Sequence, residues 1–361
     1  MKEVQLREVV DVYDNLRKPL STMTRLGIQG KYPYYSANGA IDSINKFIFS
    51  GEYILVAEDG SVRTDDGKPV VKLTKKDEQF WVSNHAHVLR AKEGILNKYL
   101  YYNLSQININ QIITGAVQLK VSQENLLKLK VKMHSSSEQR HIVDTIGTID
   151  DLIENYENQA HIICSLLKAE LKKFCTVIPF SFYSPRIIKS GIKTFDTTKN
   201  YLDTSSVKGV NEIFEGETIT FGRRPSRANM QPIANSVWFA KMKASNKIIV
   251  VSEKDTDLIT GTIFSTGFLG IEATKKLSLS LLTAFLISDS FHAKRDMCSV
   301  GTTMASINND SFLRITVPYL NNKEIDLFES KYKYSVQTLC LLRRKIVHLK
   351  QAKADLLTKY F

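Results

Sequence analysis

From Ile142 to Phe174, apolar residues recur at steps that alternate between four and three almost throughout: Ile142, Ile146, Ile149, Ile153, Tyr156, Ala160, Ile163, Leu167, Leu171 and Phe174. This heptad spacing predicts one long helix over 138–174 with a single seam turned toward a partner. On its other faces Asp144, Asp150, Asp151, Glu154 and Glu157 come early and Lys168, Lys172 and Lys173 late. That order complements the helix dipole. At ~1.5 Å per residue the helix reaches roughly 55 Å. Ser137, ahead of Glu138, is the expected N-cap.

A second seam lies 186 positions further on. Ile142 falls on Phe328, Ile146 on Tyr332, Ile153 on Leu339, Tyr156 on Leu342, Ala160 on Ile346 and Ile163 on Leu349, with Ser335 and Lys353 as weak positions. The same offset places Asn97–Leu104 on Thr283–Ser290, Gly115 on Gly301, and Val131 on Val317. A fixed offset over this length implies an internal duplication. The expected division is a globular unit over 1–136, a long helix over 137–175, a second unit over 176–320 and a second long helix over 321–361.

Within the units the pattern is mixed, and the fold class is α+β. In the first, Val4–Tyr13 reads as a short strand or helix. Lys31–Ser36 enters a turn at Asn38-Gly39. Lys46–Phe49, Glu52–Ala57, Gln79–Leu89, Val117–Val121 and Leu127–Met133 read as strands, Leu96–Leu104 as helix, and Glu58–Pro69 as a polar loop. In the second, Tyr201–Val207, Thr218–Phe221, Ser236–Met242 and Lys247–Val251 read as strands. Phe221–Pro232 reads as a basic loop and Ser278–Phe291 as helix.

At 361 residues the chain holds two domains of ordinary size. Its formal charge of +12 raises the expectation of a polyanionic partner. Charge is unevenly spread: four Lys+Arg face seven Asp+Glu over 137–175, and nine face four over 323–361. The two helices therefore carry opposite net charge, which favours pairing with each other. The four cysteines have no Cys-x-x-Cys spacing, so free thiols in a reducing cytosol are expected. The first fifteen residues lack a signal peptide's apolar core, and Leu277–Ser288 is too short to span a bilayer. A cytoplasmic location is expected.

Catalytic motifs are missing from the pattern. No Asp/Asn-Pro-Pro-aromatic sequence grips a target amine, no two prolines are adjacent, and no glycine loop opens a helix as a cofactor fingerprint would. Gly60 to Gly67-Lys68 has the wrong spacing for a phosphate loop and runs into Pro69. Glu170-Leu171-Lys172 fits a solvated helix face better than half of a nuclease site. His85 and His87 would project to one face of a strand, but without a third ligand nearby no metal site is expected.

Several segments together resemble the specificity subunit of type I restriction–modification systems. In the first unit these are Lys31–Asn38 (KYPYYSAN), Tyr53–Gly60 (YILVAEDG), Trp81–Leu89 (WVSNHAHVL), Tyr99–Tyr102 (YLYY) and Gly115–Val121 with Leu127–Val131, followed by Glu138-Gln139-Arg140. In the second they are Tyr201–Val207, Gly301–Ile307 and Phe312–Pro318, with Lys323-Glu324-Ile325 in place of the Glu-Gln-Arg triplet. The resemblance implies two target-recognition domains, each reading part of a split DNA site. They would be joined by two antiparallel coiled-coil helices that act as a spacer. It also implies a chain without a catalytic centre of its own. Methyltransferase subunits, two per chain, and restriction/translocase subunits would carry S-adenosylmethionine, ATP and Mg. A scaffold that bridges partners without reading DNA is the alternative.

Phosphate contacts position a DNA reader, while Arg on guanine and Asn or Gln on adenine read base edges. The candidates are Arg223, Arg224, Arg227, Asn229 and Gln231 in the second unit. In the first they are Lys31, Tyr34, Arg63, Thr64 and Lys68, where Asp65 and Asp66 oppose phosphate approach.

Overall fold

The computed structural model describes residues 2–115, 117–214, 216–299, 301 and 305–361. Ala116 in the segment Gly115–Val121, and residues 302–304 in Gly301–Ile307, lie outside the described residues. The chain forms two units: Met1–Asp151 completed by Gln351–Phe361, and Leu152–Lys350. Both mix helices and sheets.

In the first unit one four-stranded sheet takes the order Val10–Val12, Ala86–Ala91, Ile54–Ala57, Val71–Leu73. The other takes the order Gly39–Ile44, Gln29–Ser36, Gln79–Val82, Phe49–Ser50, and its two central strands run parallel. In the second unit the orders are Arg186–Ile187, Phe268–Glu272, Ser236–Ala240, Ile248–Val251, and Glu217–Ile219, Lys199–Leu202, Thr262–Ser265, Ala228–Met230. Here too Lys199–Leu202 and Thr262–Ser265 are the parallel pair. A two-stranded ladder closes each unit, Lys2–Gln5 with Lys130–Met133 and Val177–Pro179 with Thr316–Pro318. The strand order is the same in both.

The expected Gln79–Leu89 strand is two strands. The backbone turns at Asn84-His85, so Gln79–Val82 joins one sheet and Ala86–Ala91 the other. His85 and His87 accordingly share no strand face. Leu127 ends a short helix, Gln123–Leu127, capped by Ser122, and the strand starts at Lys130. The basic stretch Phe221–Pro232 is only partly loop: Ala228–Met230 pairs antiparallel with Thr262–Ser265. Ser278–Phe291 is two helices, Leu279–Ile287 and Asp289–Met297, divided at Ser288. Ser288 caps the second of them through its Oγ.

The two long helices run Ser136–Leu171 and Asn322–Tyr360. Ser135, not Ser137, supplies the first cap. Its Oγ accepts from the Glu138 N–H at 3.4 Å, while the Glu138 carboxylate accepts the Ser135 N–H at 2.9 Å. Asn321 and Glu324 repeat this reciprocal pair at 3.1 and 2.8 Å. Two orphan donors are thereby satisfied at each helix start.

The seam residues divide by position. Ile142 and Ile146 are buried in the first unit among Tyr99, Tyr102, Val131 and Leu357. Phe328, Tyr332, Leu339 and Leu342 are buried in the second unit. Ile149, Ile153, Tyr156, Ile163, Ile346 and Leu349 are half-buried. Inside the second unit, Glu170 pairs with Lys331 at 3.3 Å and Glu157 with Lys350 at 3.4 Å, so the two helical stretches run in opposite directions. Lys345 Nζ sits 5.0 Å from the ring centre of Tyr156. In the first unit Lys353 pairs with Asp150, whose other oxygen accepts from the Tyr102 hydroxyl at 2.6 Å. No helix among the described residues is long and apolar enough to cross a membrane.

A buried charge node ties the second helix to its unit. Asp255 lies 2.6 Å from Arg343 and 2.7 Å from Arg344, and accepts from the Ser252 N–H and hydroxyl at 2.7 Å each. Arg343 also donates to the Val250 carbonyl. Burial pushes the Asp255 carboxyl up, but Arg343 and Ser252 outweigh it and hold the group below the usual carboxylate range. Removing one partner strands a buried charge. Asp255→Ala should lower stability by about 3 kcal/mol in urea unfolding near neutral pH. Because the folded value is depressed, this contribution is complete above the ordinary carboxylate pKa and disappears as pH falls through the folded one. The gap between variant and native chain should therefore close in acid.

Candidate nucleic-acid interface

In the first unit Lys31 is exposed on its strand, with its ammonium 5.1 Å from the Tyr32 ring centre. Tyr34 is 2% exposed; its hydroxyl accepts the Leu20 N–H at 2.9 Å and Arg25 lies over its ring. The loop 63–68 is folded on itself. Thr64 Oγ1 donates to Asp66 at 2.5 Å and accepts the Lys68 N–H at 3.2 Å, and Lys68 Nζ pairs with Asp66 at 3.1 Å. Hydrogen bonds from Thr64 and Lys68 hold the Asp66 carboxyl below its ordinary value. Gly67 has φ +81°, and a Cβ there would meet the Asn108 and Asn110 amides at 2.8 Å. Arg63 is exposed, and among the described residues it has no carboxylate partner.

In the second unit a short turn of helix, Phe221–Arg223, carries Arg223 into solvent. Arg224 is half-buried, stacked 4.1 Å from the Phe221 ring centre and donating to the Phe221 carbonyl. Arg227 is exposed at the entry to the strand Ala228–Met230, on which Asn229 is half-buried. The Gln231 amide donates to the Ile259 carbonyl at 2.6 Å. Arg223 and Arg227 are thus the exposed cations of this segment.

Beside it opens a cleft of about 520 Å³, lined by Lys189, Ser190, Met230, Lys241, Thr266 and Asn309 among others, with no carboxylate in its wall. The elements converge through backbone bonds. Gly191 N–H donates to the Asn229 carbonyl, Thr266 N–H to that of Arg227, and Lys241 N–H to that of Gly267. Lys241 is half-buried. Burial first, then the nearby Arg227 charge, pulls its ammonium below the usual lysine value. Sequence reading missed Lys189 and Lys241, since each is a lone lysine beside an apolar strand.

The equivalent strand end in the first unit carries Glu58. The frames match: the Val121 N–H donates to the Glu58 carbonyl and the Ile307 N–H to that of Lys241, at 2.8 and 3.0 Å. Glu58 and Lys241 in turn donate to His85 and Gly267, at 2.9 Å each. The side chains differ in sign. Glu58 is saturated by Arg17 at 2.6 Å and Lys120 at 3.2 Å. Asp14, Glu58 and His87 come close enough to hold a metal. However, His87 Nδ1 lies 2.6 Å from Asp14 and its Nε2 2.8 Å from the Val121 carbonyl. Both ring nitrogens are thus already engaged by protein oxygens, which leaves little freedom for a metal-ligand role. Added zinc or manganese should leave the unfolding midpoint within about 1 °C of the metal-free value, read by differential scanning fluorimetry. A concentration-dependent rise would make the cluster a metal site.

Residues 1–162 match the family model described as "Type I restriction modification DNA specificity domain". A curated relative is a putative type I restriction enzyme specificity subunit, S.HindORF215P, from Haemophilus influenzae. It is 31% identical over 147 residues, which are 41% of this chain and 37% of that protein. The match thus spans little more than a third of that relative's length. Among solved structures, the type I restriction-modification system S subunit from M. genitalium aligns over 99% of this chain and 93% of its own, at TM-score 0.47 and 16% identity. The HsdS subunit from Thermoanaerobacter tengcongensis aligns over 100% and 96%, at TM-score 0.32 and 14% identity.

Proposed function

We propose, for a chain that carries a type I restriction modification DNA specificity domain over residues 1–162, that it is the sequence-specificity subunit of a type I restriction–modification complex. Each unit reads one part of a split DNA site. The two long helices pack antiparallel as a coiled-coil spacer, and methyltransferase and restriction subunits assemble on the chain. Those partners carry S-adenosylmethionine, ATP and Mg and perform methyl transfer and cleavage; this chain supplies recognition and position.

One observation carries the reading. Two units with the same strand order, down to the same parallel pair, are each followed by a long helix that opens on the same capping pair. An internal duplication accounts for that repetition. Two similar readers on one strut suit a bipartite site, because fixed spacing turns two weak readings into one strong one. Arg63 in the first unit and Arg223 and Arg227 in the second are exposed arginines available for DNA. Thr64 and Lys68 brace the loop of Arg63, and Arg224 the turn of Arg223, while Tyr34 and Gln231 spend their polar groups on the Leu20 N–H and the Ile259 carbonyl. Asn229 stands beside Arg227, and Lys31 is a further exposed cation of the first unit.

The outer face of the second helix supports partner docking. Leu327, Tyr334 and Leu341 recur at seven-residue steps and are 67%, 73% and 41% exposed. A stripe of this period fits the apolar face of another helix. The scaffold alternative shares this stripe but gives no role to a carboxylate-free basic cleft.

Mapping methylated adenines in cells that express this chain with its methyltransferase tests the reading. A two-part motif that vanishes without the chain is expected; unchanged methylation would sink it. Arg223→Ala combined with Arg224→Ala should relax or abolish one half of the motif only. Equal loss in both halves would reduce these arginines to a general electrostatic role. Adding one heptad after Ala160, with a matching heptad in the facing stretch of the second helix, lengthens the strut by ~10 Å. The methylated site should then gain about three base pairs of spacer. Tyr334→Asp should weaken co-purification of the methyltransferase several-fold, with the chain's own unfolding midpoint unchanged.

A further inference from the structure

We infer that Lys241, with Arg227 and Lys189 beside it, forms a DNA-backbone phosphate site in the second unit that the first unit lacks. The inference rests on the proposed role of that unit as a DNA reader, and it names a contact which that role does not require.

Lys241 directly follows the strand Ser236–Ala240, and its main chain is fixed on both sides, by the Gly267 carbonyl and the Ile307 N–H. Its side chain therefore leaves from a rigid frame and not from a loop. Among the described residues no carboxylate pairs with Lys241, Lys189 or Arg227, and none lines the cleft. The other large clefts of this unit differ: one carries Glu157, Glu212 and Asp289, another Glu253, Asp326 and Glu329. Three cations near one concavity repel one another unless an anion joins them. The nearby hydroxyls of Ser190 and Thr266 and the Asn309 amide suit phosphate oxygens. Burial and the Arg227 charge already weigh on the Lys241 ammonium. An anion arriving there relieves that strain.

The first unit shows what the same frame looks like when it is closed. At the equivalent position Glu58 is held by Arg17 and Lys120, next to Asp14 and His87. Charges there are matched inside the protein, and a carboxylate stands where a phosphate would have to approach. The two units thus use one backbone position in opposite ways.

The test measures binding of the full chain to short duplexes, with and without the recognised sequence, across a salt series. Lys241→Met should weaken both duplexes several-fold and lower the slope of log K against log salt by about 0.9, the loss of one phosphate contact. Lys241→Arg should restore most of the affinity. Unchanged affinity and slope would overturn the inference, and so would a loss confined to the cognate sequence, which would make Lys241 a base reader. A second arm titrates inorganic phosphate. No saturable binding is expected, and tight binding abolished by Lys241→Met would make this a small-anion site instead. Arg223→Ala separates the premise from the inference. If it alters sequence preference while Lys241→Met does nothing, only the phosphate site fails. If neither variant affects DNA binding, the second unit is no reader and both fail.

Discussion

The structure depends on where the two long helices can hide their apolar faces. A helix with a heptad seam is unstable alone and must be covered along its length. Here the cover changes along the helix. Ile142 and Ile146 enter the core of the first unit, while Leu167 and Leu171 enter that of the second, together with Phe328, Tyr332 and Leu339. Between these ends the seam is only half-buried. Each helix is therefore part of a globular core before it is part of anything else. The Asp255–Arg343 node follows from the same demand, since a basic helix lying on an apolar sheet must find partners for the guanidinium groups it buries.

The two equivalent strand ends show how one framework can be given two electrostatic characters. Backbone hydrogen bonds fix the position of Glu58 and Lys241 alike, so the framework carries either side chain when the charges around it change as well. A fold that keeps its sheets and varies such positions can change the charge it presents without changing its framework.

Much of this was legible in the chain. Heptad spacing located both long helices to within a few residues, because packing of that period leaves a strong apolar signal. Ser137 was the wrong cap by two residues, because Ser135 and Ser137 look alike in sequence and only the reach of Glu138 selects between them. Gln79–Leu89 looked like one strand because nothing in its apolar pattern announces a change of sheet. The basic stretch 221–232 was found by charge, but not that Ala228–Met230 is a strand or that Gln231 spends its amide on the Ile259 carbonyl. Lys241 was out of reach for a clearer reason. The offset of 186 that aligns Val121 with Ile307 becomes 183 at Glu58 and Lys241 and 182 at His85 and Gly267. Loop-length differences thus hide the equivalence that gives the lysine its meaning.

The first unit borrows its last piece from the far end of the polypeptide: Leu357 is buried in its core, and Phe361 lies 5.4 Å from the ring of Tyr99. During synthesis every residue of the second unit is polymerised before that piece is. The head that begins first is thus the one that finishes last, and it waits with Ile142, Tyr99 and Val131 incompletely sheltered. A chain cut after Lys350 would lack the piece that shelters the amino-terminal core while keeping every residue of the second unit.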